Sequence, residues 1–367
     1  MNQTSTIEKA KVTATETSGA FARYPRNQWY IAAGRAEVGR VPLARKLLGK
    51  QVVFYRKEDG TPVAMDDYCP HRGYPLSKSR IKGDVIQCGY HGLEFNEHGR
   101  CVKIPGRQAA PSALKVTSYP LVEKWHWIWI WMGDPARADT SMIPPIDMKD
   151  YAHYNHRFVD PFPFHGNFML AHDNLLDATH ASYIHAGLLD TDAGKEFGIP
   201  PDMSVVGNVM TLTWDHSNVV LPDNVFDQYG IPLPKGTPLY RRTMIQTTPP
   251  SCVTNYNQFF APRPDFSWDN PGIPIVDSVH ALGVVPADDT HGYHMLAQSA
   301  TYPLTPENEA ALRHVIGQDV AAFEAVQAFH DSNPTTGEVF IGIDKAAVLM
   351  RRIIDKMVRE EQLQESR

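Results

Sequence analysis

Two short clusters of cysteine and histidine restrict the fold of this chain more than any other feature of its sequence. The first is Cys69-x-His71, and the second, after a gap of sixteen residues, is Cys88-x-x-His91. Each cluster offers one thiolate and one imidazole. A structural zinc site of the Cys2His2 kind usually takes two cysteines from one turn and two histidines from a helix. A Rieske [2Fe–2S] cluster needs two cysteines on one iron and two histidines on the other, so the split pattern predicts a Rieske cluster, with zinc as the alternative.

The segments around these clusters have the texture of short β-strands. Turn-forming residues flank both clusters, namely Pro70, Gly73, Pro75, Gly89 and Gly92. The stretches QVVFYR, TPVAMDDY, DVIQCGY and WHWIWIWM are typical of strands, and turn residues separate them. The last stretch alternates poorly, which predicts a strand buried on both faces. We therefore expect an all-β domain over residues 24–135, after a polar lead-in at residues 1–23.

The second half of the chain combines strands with helices. Strand patterns occur in YNHRFVDPFPF, over residues 203–213, and in RRTMIQTT, CVTNYNQFFA, SVHALGVVP and GYHMLAQSATYPL. Helices are expected at residues 167–184, from the capping signal at Thr305 to about His330, and near the C-terminus. The Pro- and Asp-rich stretch GDPARADTSMIPPIDM marks a domain boundary. The prediction is an α+β domain over residues 136–367, with an antiparallel sheet flanked by helices.

One helical segment, HDNLLDATHASYIH, holds a second group of metal-binding residue types. It carries Asn174, Asp177, His180 and His185 among leucine, isoleucine and alanine. Two imidazoles and one carboxylate form the facial triad of non-haem Fe(II) oxygenases. Residues five apart on a regular helix point about 140° away from each other, so we expect the helix to bend or end between His180 and His185. Asp177 lies about 60° from His180 on the same wheel, where it can accept the second N–H of that imidazole.

The late helix supplies a carboxylate on an apolar face. Its apolar stripe consists of Val315, Ile316, Ala322, Phe323 and Val326. Asp319 lies on that stripe, where an unpaired carboxylate is costly unless it meets a metal or a cation. Glu324 faces the other side and is expected to be solvated, while Asp331 and Asp344 are weaker candidates in a loop and at a helix start. We predict Asp319 as the third ligand, with a salt bridge as the alternative.

Composition and charge exclude several classes of function. The formal net charge of −6 gives no reason to expect nucleic acid or an anionic membrane as partner. No apolar run approaches the ~20 residues of a membrane span, and the N-terminus lacks the apolar core of a secretory signal. Cys101 and Cys252 are expected to be buried free thiols rather than a disulfide. These features predict a cytoplasmic protein.

The motif CPHRG…CGYHGLE, preceded by YPRNQWYIA, resembles the Rieske non-haem iron oxygenases. It is most similar to the oxygenase component of vanillate O-demethylase. Many ring-hydroxylating relatives have Pro and Trp where this chain has Gly89 and Leu93, a departure that favours the demethylase branch. The segment GQDVAAFEAVQ is similar to the one that provides the iron-binding aspartate, and it contains Asp319. The resemblance spans residues 24–360.

The resemblance implies two metal centres in each subunit. One is a [2Fe–2S] Rieske cluster held by Cys69, His71, Cys88 and His91. The other is a mononuclear Fe(II) held by His180, His185 and Asp319, with Asn174 near the iron. The resemblance also implies a homotrimer, in which Asp177 connects this iron to the Rieske histidine His91 of the partner subunit.

The same resemblance implies an oxygenase component that acts on a small aromatic substrate and O2. A separate NAD(P)H-dependent reductase with flavin and an iron–sulfur cluster would supply its electrons. Oxidative O-demethylation of a methoxybenzoate, with formaldehyde release, is the first choice, and N-dealkylation and ring or methyl hydroxylation are alternatives. Arg241 and Arg242 could pair a substrate carboxylate or simply carry surface charge. A Rieske electron carrier, whose second half only docks partners, is the non-enzymatic alternative.

Overall fold

The N-terminal part of the fold consists of short antiparallel strands in three small sheets. The computed structural model describes residues 24–149, 153–185 and 199–366, and the lead-in predicted for residues 1–23 lies outside them. Within this part the strands are β1 Trp29–Gly34, β2 Leu43–Leu47, β3 Lys50–Arg56, β4 Pro62–Asp66, β5 Arg80–Lys82, β6 Val85–Gln87, β7 Glu94–Phe95, β8 Cys101–Lys103, β9 Leu121–Lys124 and β10 Trp127–Trp131. The sheets have the orders β1-β10-β9, β2-β3-β4 and β5-β6-β7-β8. The predicted all-β texture is confirmed.

A seven-stranded antiparallel sheet dominates the second part, in the order β11-β17-β16-β15-β14-β13-β12. Its strands are β11 Asn155–His165, β12 Asp202–Val206, β13 Val209–Val219, β14 Leu239–Thr248, β15 Cys252–Phe260, β16 Val276–Pro286 and β17 His291–Ala300. The helices among the described residues are α1 Phe168–Leu176, α2 Ala181–Ile184, α3 Asp223–Gln228, α4 Pro306–Ser332 and α5 Lys345–Glu365. The predicted α+β class is confirmed. The short strands expected over residues 203–213 are the hairpin of β12 and β13.

The two faces of this sheet have different neighbours. On one face, Val279 and Ala281 of β16 belong to the same core cluster as Ile31 of β1 and Trp129 of β10. On the other face, residues of β11, β16 and β17 pack against Ile316 of α4. The side-chain alternation of a strand produces this division. The large sheet therefore lies between the small N-terminal sheets and the helices.

Strand β10 is the centre of the shared core. All five of its residues, Trp127 to Trp131, are buried, as the sequence predicted for a strand covered on both faces. Ile143, Ile146 and Met148, in the Pro-rich boundary segment, are buried in the same core cluster. The segment thus packs as part of the core, and the division at residues 135 and 136 stays a prediction.

Helix α4 differs from its prediction in two details. Thr305 caps it by accepting a hydrogen bond from the Asn308 backbone N–H at 3.3 Å, as expected. The predicted apolar stripe includes Val326, but this residue is 42% exposed, and the buried position belongs to Gln327, which accepts a hydrogen bond from the Asn167 backbone N–H. Glu324 was expected to be solvated, but its carboxylate accepts a hydrogen bond from the His165 backbone N–H at 2.7 Å.

Two observations bear on the predicted environment of the protein. Cys101 and Cys252 are free thiols, as expected, and so are Cys69 and Cys88. Cys252 is buried, whereas Cys101 is only half-buried, because it lies on the short strand β8 at the edge of its sheet. Across the described parts of the chain, no helix combines the length and the apolar character needed to cross a membrane.

Candidate metal centres

The two Cys-His loops have the same backbone hydrogen bonds. In each loop the cysteine N–H donates to the carbonyl five residues later, and a glycine four residues later donates back to the cysteine carbonyl. The four pairs are Cys69–Tyr74, Gly73–Cys69, Cys88–Leu93 and Gly92–Cys88, at 2.8–2.9 Å. Gly73 and Gly92 have φ angles of 70° and 72°, which only glycine adopts without strain. The two loops thus present their side chains as a matched pair.

The burial of the four side chains separates thiols from imidazoles. Cys69 and Cys88 are each 2% exposed, whereas His71 and His91 are exposed. The two imidazole rings lie 4.8 Å apart between centroids. Burial raises the pKa of the Cys69 thiol to about 11, and the adjacent Cys88 adds to the rise. The Cys69 thiol therefore needs a metal to become a thiolate here, and the donor set fits a [2Fe–2S] cluster with its thiolate-bound iron inside.

The local structure explains why residue 89 is a glycine. A Cβ atom at position 89 would lie 3.2 Å from the Tyr74 ring. The backbone N–H of Gly89 donates to Ser79 Oγ at 3.0 Å. Proline has no N–H and would lose that bond. The glycine that stands here in place of the proline of ring-hydroxylating relatives therefore suits the contacts with Tyr74 and Ser79.

The second group of ligands lies where α1 ends, and the helix breaks earlier than predicted. Asp177 has extended backbone angles (φ −109°, ψ 92°) and separates α1 from a short 3-10 turn that leads to α2. Its Oδ1 accepts hydrogen bonds from the N–H and Oγ1 of Thr179, at 2.9 and 2.5 Å. No continuous helix joins Asp177 to His180, so the helical-wheel argument does not apply, but Asp177 still lies close enough for its charge to help raise the pKa of His180. His185 caps the end of α2, as the expected helix end requires.

The break brings two histidines against one carboxylate. His185 Nε2 lies 3.0 Å and His180 Nε2 3.3 Å from Asp319 Oδ1. The candidate ligand atoms of these residues all lie within 4.8 Å of one another. Asn174 Nδ2 donates to Asp319 Oδ1 at 3.2 Å. The structure thus places Asn174 beside the group, as the sequence predicted.

Electrostatics in this group favour a bound cation. Burial acts to raise the pKa of Asp319, but the hydrogen bond and charge of His180 and the charge of His185 hold it below its ordinary value. Burial acts to lower the pKa of His180, but Asp319 outweighs it and raises that pKa. His185 Nδ1 lies 2.9 Å from Gln318 Oε1, which can only accept. The Nε2 lone pair then faces a carboxylate, an arrangement that a metal ion between them stabilises.

The other candidates are engaged elsewhere. Asp331 accepts a hydrogen bond from Gln327 Nε2 at 2.8 Å, and Asp344 accepts one from the Ile341 backbone N–H at 2.6 Å. Arg242 makes two 2.7 Å hydrogen bonds to Asp215. Sequence reasoning missed Gln318, for which adjacency to Asp319 was the available signal.

Known proteins match both parts of the chain. Residues 28–120 match the Rieske [2Fe-2S] domain, and residues 164–360 match the vanillate O-demethylase oxygenase C-terminal domain. The dicamba O-demethylase oxygenase component of Stenotrophomonas maltophilia is 31% identical over 362 residues, covering 92% of this chain and 99% of that protein. The toluene-4-sulfonate monooxygenase system iron-sulfur subunit of Comamonas testosteroni is 30% identical, covering 92% and 97%. A crystal structure of dicamba monooxygenase with non-heme iron and dicamba aligns with a TM-score of 0.75 at 28% identity, covering 94% and 99%.

A Rieske domain packed on a domain with a two-histidine, one-carboxylate centre defines an iron oxygenase with two metal sites. The chain belongs to the Rieske non-haem iron oxygenase family, in the branch with the vanillate O-demethylase type of C-terminal domain. It is an oxidoreductase, the oxygenase component of a multicomponent monooxygenase that needs a reductase partner. Its cofactors are a [2Fe–2S] cluster and a mononuclear iron. The zinc and electron-carrier alternatives are thereby excluded.

Proposed function

We propose that this oxygenase component hydroxylates the methyl carbon of an aromatic methyl ether and thereby releases formaldehyde. The observation that carries the proposal is the cluster of His180, His185 and Asp319, with candidate ligand atoms within 4.8 Å of one another. A triad of this kind leaves coordination positions for O2 beside a substrate. The relatives named dicamba O-demethylase and vanillate O-demethylase support a methoxylated aromatic as the substrate.

The proposal assigns the metal ligands as follows. His180, His185 and Asp319 hold the mononuclear iron, and Cys69, His71, Cys88 and His91 hold the [2Fe–2S] cluster. When bound, the cluster supplies single electrons and the mononuclear iron activates O2, chemistry that side chains cannot perform. The buried thiols suit the inner iron, and the exposed imidazoles suit the outer iron at the surface, where an electron donor can approach.

The protein's own groups orient and shield this centre. Gln318 Oε1 accepts a hydrogen bond from the Nδ1–H of His185. This bond fixes the His185 tautomer whose Nε2 lone pair points toward Asp319. Asn174 donates to Oδ1 of Asp319, the same oxygen that both histidines face, and so helps to hold the carboxylate toward them. The adjoining apolar cluster keeps water away from this side of the triad, and its members include Val159, Leu175, Leu282, Leu296 and Ile316.

The proposed reaction is balanced by one O2 and two electrons from NAD(P)H. One oxygen atom enters a C–H bond of the methyl group, and the other leaves as water with two protons. In the resulting hemiacetal, ArO–CH2–OH, the bond between the aryl oxygen and the CH2 carbon breaks. The hydroxyl proton passes to the aryl oxygen. The products are a phenol and formaldehyde. Exclusion of water from the site protects such intermediates from side reactions.

We propose a homotrimer in a reducing cytoplasm, served by an NAD(P)H-dependent reductase that carries flavin and an iron–sulfur cluster. In the trimer, Asp177 would contact His91 of the partner subunit. Asp177 Oδ1 is used by Thr179, and its other carboxylate oxygen makes no hydrogen bond within the described ranges. His91 is exposed. Within the described ranges, the second oxygen of Asp177 and the exposed edge of His91 are therefore available for a contact between subunits.

The test is a substrate panel with a surrogate reductase. Methoxybenzoates are expected to give formaldehyde and a phenol in equal amounts, with one O2 consumed for each. N-methyl aromatics and methylarenes complete the panel. The toluene-4-sulfonate monooxygenase subunit, at 30% identity, favours methyl hydroxylation as the second candidate. Alcohol formation from methylarenes, without formaldehyde from any methyl ether, would replace O-demethylation by that reaction.

A further inference from the structure

A row of polar side chains crosses the helix-covered face of the large sheet. Register pairs Arg157 of β11 with Gln298 of β17, and Gln298 with His280 of β16. The neighbouring row on this face is apolar and consists of Val159, Leu296 and Leu282. Buried polar groups are normally hydrogen-bonded.

Arg157 lacks the partners that a buried guanidinium needs. Its side chain is only 8% exposed. Among the described residues, neither Nη1 nor Nη2 has a hydrogen-bond partner. The nearest carboxylate oxygen, Glu309 Oε2, lies 3.8 Å from Nη1, beyond hydrogen-bond distance, and Glu309 accepts instead from Arg313 Nε at 2.8 Å. A buried charge without a hydrogen-bonding anion is destabilising, so this position fits a site that is completed by a ligand.

The neighbours of Arg157 within the polar row are neutral. Gln298 Nε2 lies 2.7 Å from His280 Nε2 and 3.3 Å from the Tyr302 hydroxyl. Burial, and then the charge of Arg157, lower the pKa of His280 to about 4, so this imidazole is uncharged at neutral pH. Gln298 Oε1 is also buried without a partner. The row therefore holds one positive charge, whose nearest carboxylate, that of Glu309, makes no hydrogen bond to it. Among the described residues, two donors on Arg157 and one acceptor on Gln298 are unused.

We propose that Arg157 binds the oxyanion of the substrate, a carboxylate or sulfonate on the aromatic ring. This inference rests on the proposed function and names its substrate class. A guanidinium matches the two oxygens of such a group with parallel N–H donors. Arg242, the earlier candidate, is a weaker choice because its donors already bind Asp215.

Two distances along the backbone, one on α4 and one on β17, relate Arg157 to the metal centre. Glu309, next to Arg157, precedes Asp319 by ten residues on α4, which corresponds to about 15 Å. On β17, Gln298 follows His294 by four residues, or about 13 Å. The His294 ring lies 5.8 Å from that of Phe323, one helical turn beyond Asp319. A methoxylated benzene ring with its oxyanion on Arg157 would extend along this face toward the triad.

The test compares arenes that differ only in charge. Isothermal titration of the iron-loaded, full-length enzyme without O2 would measure binding of 4-methoxybenzoate and 4-methylbenzenesulfonate, each against its neutral amide. The wild type is expected to prefer the anions. Arg157→Gln is expected to weaken anion binding about 10- to 100-fold and to leave amide binding unchanged, because it removes a charge-assisted hydrogen-bonded pair. Arg157→Lys should keep part of the preference.

The matched control is Arg242→Gln, which removes the same charge from the same sheet and should leave the preference intact. The melting temperature of ligand-free Arg157→Met gives a second readout. It is expected to rise, because an unpaired buried charge is lost, whereas an arginine with a purely structural role would lower it on removal. No preference of the wild type for either anion, or an Arg157→Gln variant that keeps the preference, overturns the proposal. Because no turnover is needed, the site can stand even if O-demethylation fails.

Discussion

Gly283 of β16 packs directly against Ile31 of β1, across the junction between the large sheet and the N-terminal sheets. A Cβ atom on Gly283 would lie 2.6 Å from Cδ1 and 3.3 Å from Cβ of Ile31. Ile31 is fully buried, and the Met295 Cβ atom lies 3.3 Å from the same position. The absence of a side chain at 283 therefore sets how closely β16 approaches β1 within their common core.

Gly283→Val is expected to destabilise the protein by about 1–3 kcal/mol, because the added methyl groups overpack that core. The free energy of unfolding in urea measures the effect. Gly317→Ala is the matched control of opposite sign. A Cβ there meets nothing within 4 Å, and the change should stabilise α4 by roughly 0.5–1 kcal/mol. A fully stable Gly283→Val variant would show that the junction is loosely packed.

Local patterns predicted much of the fold and of the metal centres. The spacing of Cys69 and His71, with glycines that permit tight loops, is a property of a few adjacent residues. Asp319 was identified because helical periodicity placed a carboxylate among apolar residues. In both cases the signal lies within one element, so no knowledge of tertiary contacts was needed.

Contacts between distant elements account for what the sequence did not reveal. The break at Asp177 depends on a side chain that caps the next turn, which competes with helix continuation. Val326 is exposed because the sheet covers only part of the face of α4. Arg157 gains its significance from the register of β11 against β17, which pairs residues 141 positions apart. Such pairings are not encoded by periodicity alone.

His71→Cys is expected to keep the [2Fe–2S] cluster and to lower its reduction potential, on the order of 100 mV or more, because a thiolate replaces an imidazole on the outer iron. Its ring lies 4.8 Å from that of His91, within one ligand group. Protein-film voltammetry measures the potential. His98→Cys, at a side chain 71% exposed, is the control. An unchanged potential in His71→Cys would remove His71 from the ligand set.

Asp319→Ala is expected to abolish binding of the mononuclear iron while the visible spectrum of the Rieske cluster survives. The reason is that both histidines meet Asp319 Oδ1, at 3.0 and 3.3 Å, and two imidazoles alone hold iron weakly. Iron per subunit, measured together with acid-labile sulfide, gives the answer. Glu324→Ala removes a carboxylate from the same helix and should retain the iron. Full iron content in Asp319→Ala would transfer the ligand role to another carboxylate.

His172 is expected to make stability depend on pH between about 4 and 6.5. Its Nε2–H donates to the Pro250 carbonyl at 2.9 Å, and burial lowers its pKa to about 4, with a smaller contribution from His294. The unfolded chain therefore takes up the proton first as the pH falls. The contribution of neutral His172 to the free energy of unfolding is fully present above the pKa of this histidine in the unfolded chain. It is lost as the pH falls to about 4, with a slope of roughly 1.4 kcal/mol per pH unit.

His172→Gln should remove that part of the pH dependence. Urea unfolding at pH 5 and pH 7.5, followed by tryptophan fluorescence, measures the difference for variant and wild type. His98→Gln, at an exposed ring, is the control. Equal pH dependence in His172→Gln and the wild type would mean that His172 is not a buried neutral imidazole.

Asp177→Asn is expected to slow electron transfer to the mononuclear iron about 10- to 100-fold while both metals stay bound. The asparagine keeps the Oδ1 acceptor that caps Thr179, so the chain break is preserved and only the charge is lost. Stopped-flow mixing of pre-reduced enzyme and substrate with O2 follows oxidation of the Rieske cluster directly. Thr179→Val, which removes the hydroxyl partner of Asp177 and keeps its charge, is the control and should transfer electrons near the wild-type rate. Cluster oxidation at the wild-type rate in Asp177→Asn would leave Asp177 as a capping residue only.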